Sequence, residues 1–128
     1  MEAISPFFIV SDVERSIAFY RDVLGLEERF REPAAGNGAP FFAIVGRGGV
    51  QLLLKSDPAV APLPNPKRHP SMRWDAFVYV SNPDDLTTEL SSRGAHFTAP
   101  LKDTHDGLRG FELSDPDGHI LFFGRPRP

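Results

Sequence analysis

Hydrophobic and polar residues follow two periodicities along this chain, one typical of strands and one typical of helices. Residues 4–10 (Ile-Ser-Pro-Phe-Phe-Ile-Val) are rich in β-forming side chains and predict a first strand. The segment Ser11-Asp12-Val13-Glu14 then supplies a helix N-cap, and apolar residues recur every three or four positions until Gly25. An amphipathic helix therefore follows the strand. Three further strands are predicted at 26–31, 41–45 and 50–55.

The same order of elements recurs in the second half of the chain. Residues 73–80 predict a strand, and Asn82-Pro83 begins a helix that ends at Gly94. The last three strands are predicted at 95–98, 109–113 and 119–123. Equivalent residues of the two halves are separated by nearly the same number of positions. Val10 and Val80 are 70 residues apart, and the pairs Gly25/Gly94 and Gly49/Gly118 are each 69 residues apart.

These offsets predict an α+β fold made of two tandem βαβββ modules in a single domain, residues 1–128. Module 1 covers residues 1–56 and module 2 covers residues 72–128. The intervening segment, 57–71, is predicted to be an irregular linker because prolines can neither donate to a sheet nor continue a helix. Its prolines are Pro58, Pro62, Pro64, Pro66 and Pro70.

The composition narrows the function classes. The chain has 128 residues, 41% of them hydrophobic and 24% charged, with a formal net charge of -3 and scattered basic residues. The chain is therefore not expected to be disordered or to bind nucleic acids or membranes. No secretory leader is visible at the N-terminus, so a cytoplasmic location is expected. The absence of cysteine excludes disulfides and thiolate metal sites.

Two stretches identify a known scaffold. Residues 12–26 (Asp-Val-Glu-Arg-Ser-Ile-Ala-Phe-Tyr-Arg-Asp-Val-Leu-Gly-Leu) and 115–119 (Asp-Pro-Asp-Gly-His) resemble the vicinal oxygen chelate superfamily of glyoxalase I, bleomycin-resistance proteins and extradiol dioxygenases. The resemblance implies a curved mixed sheet around a concave cup that holds the active site. It also implies a homodimer, with or without exchange of modules between partners.

Metal-using members of that superfamily carry ligands on four strands. The resemblance places these positions at Ser5, Gln51, Asp75 and Phe122 in this sequence. A catalytic transition metal needs at least three imidazole or carboxylate ligands. We therefore predict that the protein uses no metal and no other cofactor.

Strand alternation from those positions predicts the lining of the cup. The residues expected to contact a ligand are Ser5, Phe7, Gln51, Leu53, Asp75, Phe77, Tyr79 and Phe122. The opposite, apolar face is expected to pack on the helices, and strict alternation directs Trp74 away from the cup. Asp75 has two alternatives: an ion pair with Arg73, Arg109 or Lys55, or contact with the ligand. Each histidine is expected to be solvated or locally hydrogen-bonded, although the loop that carries His105 borders the cup in the superfamily.

Three functions remain open. The first is a metal-free protein, similar to bleomycin-resistance proteins, that sequesters an amphipathic or aromatic compound, with Asp75 favouring a cationic group. The second is an enzyme of the superfamily, a lyase, isomerase or dioxygenase with a non-standard site; without metal, Asp75 would serve as base and Tyr79 or His105 as acid. The third is a structural or regulatory dimer.

Overall fold

The computed structural model describes residues 1–128 and divides them into two units, Met1–Leu63 and Pro64–Pro128. The boundary falls inside the predicted linker. Each unit contains a four-stranded mixed sheet and one ten-residue helix, as expected for tandem βαβββ modules. No helix in the chain combines the length and hydropathy needed to cross a membrane.

The first unit begins with a short strand and a capped helix. Its elements are β1 (Phe7–Ile9), α1 (Val13–Asp22), β2 (Glu27–Glu32), β3 (Phe42–Arg47) and β4 (Val50–Lys55). The strands lie in the order β1-β4-β3-β2, and β1 runs parallel to β4. The helix begins where the Asp12 carboxylate accepts a 3.1 Å hydrogen bond from the Arg15 N–H.

The core of this unit lies between α1 and one face of the sheet. Val13, Ile17 and Tyr20 are buried on the helix. Alternate residues of the strands are buried on the facing side: Phe8, Val10, Ala43, Val45, Leu52 and Leu54. The predicted apolar face is therefore confirmed in this unit.

The second unit repeats the arrangement. Its elements are α2 (Asn65–Arg68), β5 (Ala76–Tyr79), α3 (Pro83–Ser92), β6 (Phe97–Asp103), β7 (Leu108–Ser114) and β8 (Ile120–Pro126). The strands lie in the order β5-β8-β7-β6, and β5 runs parallel to β8. Contacts with α3 come from β6, β7 and β8. The buried side chains on that face include Leu90, Phe111, Leu113, Leu121 and Phe123.

Several predicted boundaries were wrong. The linker contains the short helix α2, whose start accommodates proline because the first helical turn needs no backbone donor there. The strand predicted at 73–80 is regular only from Ala76. The strand predicted at 95–98 runs from Phe97 to Asp103, because Gly94 and the Ala95 N–H still belong to the C-terminal cap of α3, where Ala95 donates to the Leu90 carbonyl.

Candidate functional site

The face of the second unit's sheet that α3 does not cover, here called the open face, carries a cluster of aromatic rings. Trp74 stacks on Phe122 with ring centroids 4.3 Å apart and an interplanar angle of 24°. Phe77 contacts both rings, at 5.6 Å from Trp74 and 4.9 Å from Phe122. Tyr79 stacks on Phe77 at 4.4 Å. The four rings form a continuous cluster in which Phe122 is buried and Tyr79 is exposed.

Two glycines let the Phe122 ring lie close to the sheet. Gly110 on β7 and Gly124 on β8 are paired in register. A Cβ atom at Gly124 would lie 2.5 Å from Phe122 Cε1 and 2.6 Å from the Arg109 carbonyl oxygen, and one at Gly110 would overlap the Phe122 ring and the Phe123 carbonyl oxygen. Side chains at these positions would displace the ring, so the glycines set the depth of the site.

A buried carboxylate lies beside the rings. Glu112 is 6% exposed and is paired in register with Phe122. Its Oε2 accepts a 2.8 Å hydrogen bond from Trp74 Nε1, and its Oε1 accepts a 2.9 Å bond from Arg73 Nη2. Thr98 Oγ1 lies 3.4 Å from the same Oε1. The indole orientation is therefore coupled to a buried negative charge.

These residues line a cavity of about 430 Å³, a size suited to a small molecule. Its lining includes Trp74, Gly110, Glu112 and Phe122, and the β6–β7 region contributes the charged residues Lys102 and Asp106 and the imidazole of His105. A hydrogen bond from the Thr104 hydroxyl lowers the pKa of Asp106 below its ordinary value.

The residues of the second unit that were predicted to contact a ligand do not all lie together. Phe77, Tyr79 and Phe122 lie together on the open face, with Tyr79 71% exposed. Asp75 is instead held by backbone amides: Oδ1 accepts from the Asn65 N–H at 2.8 Å and Oδ2 from the Ile120 N–H at 2.9 Å. The predicted ion pair of Asp75 with Arg73, Arg109 or Lys55 does not form, because Arg73 pairs with Glu112 and Arg109 pairs with Asp84 and Asp103.

The predicted orientation of Trp74 was also wrong. Alternation applies only within a strand, and β5 begins at Ala76, so it does not fix the direction of residue 74. The hydrogen bond to Glu112 and the stacking on Phe122 turn the indole onto the open face. His105, a predicted acid, is an exposed residue at the cavity.

The remaining predicted residues belong to the first unit. Phe7 and Leu53 are paired in register on β1 and β4, on the sheet face opposite to the core. Phe7 also contacts Phe42 at 6.3 Å, and its side chain is 55% exposed. Gln51 lies next to Arg29, whose Nη1 is 3.4 Å from Gln51 Oε1. Ser5 precedes β1 and is outside regular structure.

Sequence reasoning missed Glu112 and Trp74 as site residues. A signal for Glu112 was present, because Phe111 and Leu113 flank it and alternation puts it on the face opposite to the core. A lone carboxylate between two core residues of a central strand indicates a buried polar site. No comparable signal existed for Trp74, whose position depends on Glu112, 38 residues later in the chain.

The second signature stretch has a structural role. His119 Nδ1 lies 2.8 Å from Asp115 Oδ2, and both side chains are buried. Asp115 Oδ1 also accepts hydrogen bonds from the Asp117 and His119 N–H groups, both at 2.9 Å. These bonds hold the turn between β7 and β8. Neither unit brings three or more His, Asp or Glu side chains together in a group that could hold a metal ion.

Comparison with known proteins supports the fold. Residues 4–123 match the family model described as "Glyoxalase/Bleomycin resistance protein/Dioxygenase superfamily". A search of curated protein sequences gave no significant match.

Three solved structures illustrate the shared fold. TioX from Micromonospora sp. ML1 is 23% identical, with 97% of this chain and 98% of that chain covered and a TM-score of 0.73. The bleomycin-binding protein of Streptomyces verticillus, solved with copper(II)-bleomycin, is 24% identical, with coverage of 96% and 94% and a TM-score of 0.67. TnmS3, an antibiotic binding protein from Streptomyces sp. CB03234, is 21% identical, with coverage of 97% and 96% and a TM-score of 0.67.

Proposed function

We propose that this chain, which belongs to the glyoxalase/bleomycin resistance protein/dioxygenase superfamily, binds an aromatic or amphipathic small molecule on the open face of its second unit and sequesters it unchanged. The observation that carries the proposal is the stacked pair of Trp74 and Phe122 beside a cavity of about 430 Å³. The partly exposed indole, supported from behind by the buried Phe122 ring, offers apolar area and a π surface to a planar ligand.

The equivalent positions of the first unit support a dedicated role for the second. Gly124 and Phe122 correspond by the 69-residue offset to Lys55 and Leu53. The register partners of Gly124 and Phe122 are Gly110 and Glu112, whereas those of Lys55 and Leu53 are Phe42 and Ile44. At these equivalent positions the first unit therefore has neither the two glycines that adjoin Phe122 nor a buried carboxylate. Divergence of this kind between duplicated modules is expected where one of them has acquired a ligand site.

Two of the similar structures are described as binding antibiotics, the bleomycin-binding protein and TnmS3. Their identities to this chain are 24% and 21%, so we use them to choose probes and not to identify the ligand. Bleomycin is the natural first probe.

The donor chemistry supports binding without a metal. Of the four positions expected to hold ligands, Phe122 offers no donor atom and both Asp75 oxygens accept backbone hydrogen bonds. Gln51 provides a weak amide oxygen next to Arg29, and Ser5 a hydroxyl. This set does not fit a catalytic transition metal, so the proposed mechanism includes no metal-dependent step.

The oligomeric state and the cellular location were also predicted in the sequence analysis. We propose a homodimer, supported by exposed apolar residues on the uncovered sheet face of the first unit, where Phe7 is 55% and Phe30 48% exposed. The cytoplasmic location remains a prediction.

The test uses the single tryptophan of the chain as a local reporter. Titration with metal-free bleomycin and with 2-naphthylmethanol should quench Trp74 fluorescence saturably, and mass spectrometry should recover both compounds unchanged. Phe122→Leu removes the stacking ring and should weaken binding by about two- to tenfold. Phe41→Leu, the same substitution at an exposed aromatic residue outside the cavity, is the control and should have no effect on binding. Absence of saturable quenching by both compounds, or their chemical conversion, would contradict the proposal.

A further inference from the structure

Glu112 is a buried anion with a single cationic neighbour. Its carboxylate is 6% exposed and accepts hydrogen bonds from Arg73, Trp74 and Thr98. Of these three partners only Arg73 carries a charge. Because a buried carboxylate is costly unless a cation or several donors compensate it, the Arg73 guanidinium is the group that balances this charge in the ligand-free protein.

Arg73 is held in a way that permits exchange. Its side chain is 65% exposed, and it lies in the irregular segment before β5. One nitrogen, Nη2, makes both contacts with Glu112, at 2.9 Å to Oε1 and 3.2 Å to Oε2. The paired two-nitrogen geometry that makes arginine–carboxylate bonds strong is therefore absent. A mostly exposed side chain held through one atom loses little packing when it moves into solvent, so the main cost of its departure is the uncompensated Glu112 charge, which a ligand's cation would remove.

The surroundings of Glu112 favour a cation as the replacement. The Trp74 N–H points at the carboxylate, and the Trp74 and Phe122 rings line the same cavity as Glu112. A cation bound to Glu112 would therefore lie among aromatic rings, which attract cations. The cavity lining contains three carboxylates, those of Asp103, Asp106 and Glu112, against two guanidinium or ammonium groups, those of Arg73 and Lys102, and the imidazole of His105. Displacement of Arg73 by a neutral or anionic group would leave the buried Glu112 charge uncompensated.

We propose that the site selects aromatic ligands that carry a cationic nitrogen, which binds Glu112 in place of Arg73. Arg73 thus acts as an internal competitor: it satisfies the anion when no ligand is bound and moves into solvent when the ligand's cation enters. This inference rests on the proposed function, because it assigns the charge of the ligand bound at the Trp74–Phe122 pair. In this proposal Glu112, and not Asp75, recognises the cation, because both Asp75 oxygens accept hydrogen bonds from backbone amides.

Three probes with one ring system test the charge preference. They are 2-naphthylmethylammonium, 2-naphthylmethanol and 2-naphthoate, which are cationic, neutral and anionic at pH 7. Titration calorimetry with the full chain should give the cation an affinity at least about tenfold above that of the alcohol, with the anion weakest. Added salt should reduce the affinity of the cation more than that of the alcohol.

Two variants separate exchange from a structural role of the pair. Glu112→Gln keeps an acceptor for the Trp74 N–H and should remove the preference for the cation over the alcohol. Arg73→Gln removes the competitor and should raise the affinity of the cation severalfold, so that the ratio of cation to alcohol affinity increases. Arg73→Gln keeps an uncharged donor that can reach Glu112, so this variant is expected to fold, and urea unfolding of both variants checks that each is folded.

Matched controls come from α3, where Arg93 and Glu89 form an exposed pair of the same residue types outside the cavity. Arg93→Gln and Glu89→Gln should leave the affinity ratio unchanged. Equal affinities of cation and alcohol in the unmodified protein, or a lower ratio in Arg73→Gln, would overturn the exchange while leaving the binding function intact. Failure of all three probes to bind would overturn the binding function itself.

Discussion

The Asp75 carboxylate accepts a 2.9 Å hydrogen bond from the Ile120 N–H through Oδ2. Its other oxygen accepts a 2.8 Å bond from the Asn65 N–H, at the start of α2. The side chain thus joins the segment before β5 to the beginning of β8 and to the residues that follow Pro64. Each oxygen accepts from a backbone donor, and we infer from this that Asp75 has a structural role in the second unit.

Asp75→Asn should therefore destabilise the protein instead of changing its ligand preference. An asparagine can supply only one acceptor oxygen, so one backbone N–H loses its partner, at an expected cost of about 1–3 kcal/mol. Urea unfolding followed by circular dichroism measures the change. Asp57→Asn is the control, because the exposed Asp57 makes only a local bond to the Ala59 N–H, and should change stability by less than about 0.5 kcal/mol. Equal stability of Asp75→Asn and the unmodified chain would contradict the structural role.

The contrast between Asp75 and Glu112 illustrates what the sequence could predict. Landmarks such as Gly25 and Gly94 repeat at a fixed offset, and local patterns were therefore sufficient for the duplicated fold. The same reasoning put Asp75 on the ligand face, because a single sequence does not reveal that the Asn65 and Ile120 amides converge on it. Trp74 precedes β5, and its role depends on a contact with Glu112 on β7. Contacts between residues so far apart in the sequence leave no periodic pattern.

Gly110→Ala should test whether the Phe122 ring needs a bare backbone beneath it. The added methyl would overlap the ring and the Phe123 carbonyl oxygen. Because the backbone oxygen cannot move without disturbing the pairing of β7 with β8, we expect a loss of about 1–3 kcal/mol. Thermal or urea unfolding measures it. Gly49→Ala is the control, since a Cβ there meets no atom within 4 Å. Similar destabilisation by both substitutions would show that the Phe122 contact is not the cause.

The ion pair between Asp84 and Arg109 should stabilise the folded protein at neutral pH, and this contribution should be lost at acidic pH. Arg109 donates to both Asp84 oxygens, at 2.9 and 2.7 Å, and this lowers the pKa of Asp84 from its ordinary value of 3.8. A carboxylate with a lowered pKa in the folded state stabilises the protein above its unfolded pKa, and the contribution is lost as the pH falls through the folded value.

The measurement compares Asp84→Asn with the unmodified chain at several pH values. The difference in unfolding midpoint should be present at pH 7, begin to shrink below about pH 4 and vanish at lower pH. It should also decrease in high salt, because both side chains are partly exposed. In an Arg109→Gln background the substitution should produce a smaller difference with little dependence on pH. A difference that stays constant from pH 7 to pH 2 would rule out the ion pair as its source.

Trp74 should matter to ligand binding through both its ring and its N–H group, and two substitutions separate them. Trp74→Phe keeps a ring to stack on Phe122 but removes the donor to Glu112, so calorimetry with 2-naphthylmethanol should give a loss of affinity smaller than that of Trp74→Ala. Trp74→Ala removes the stacking surface and should weaken binding by about tenfold or more. Tyr79→Ala is an informative comparison, because Tyr79 is 71% exposed and contacts the cluster only through Phe77, and it should have a smaller effect than Trp74→Ala. If Tyr79→Ala weakened binding more than Trp74→Ala did, the ligand would lie at the exposed edge of the aromatic surface and not in the cavity beside Glu112.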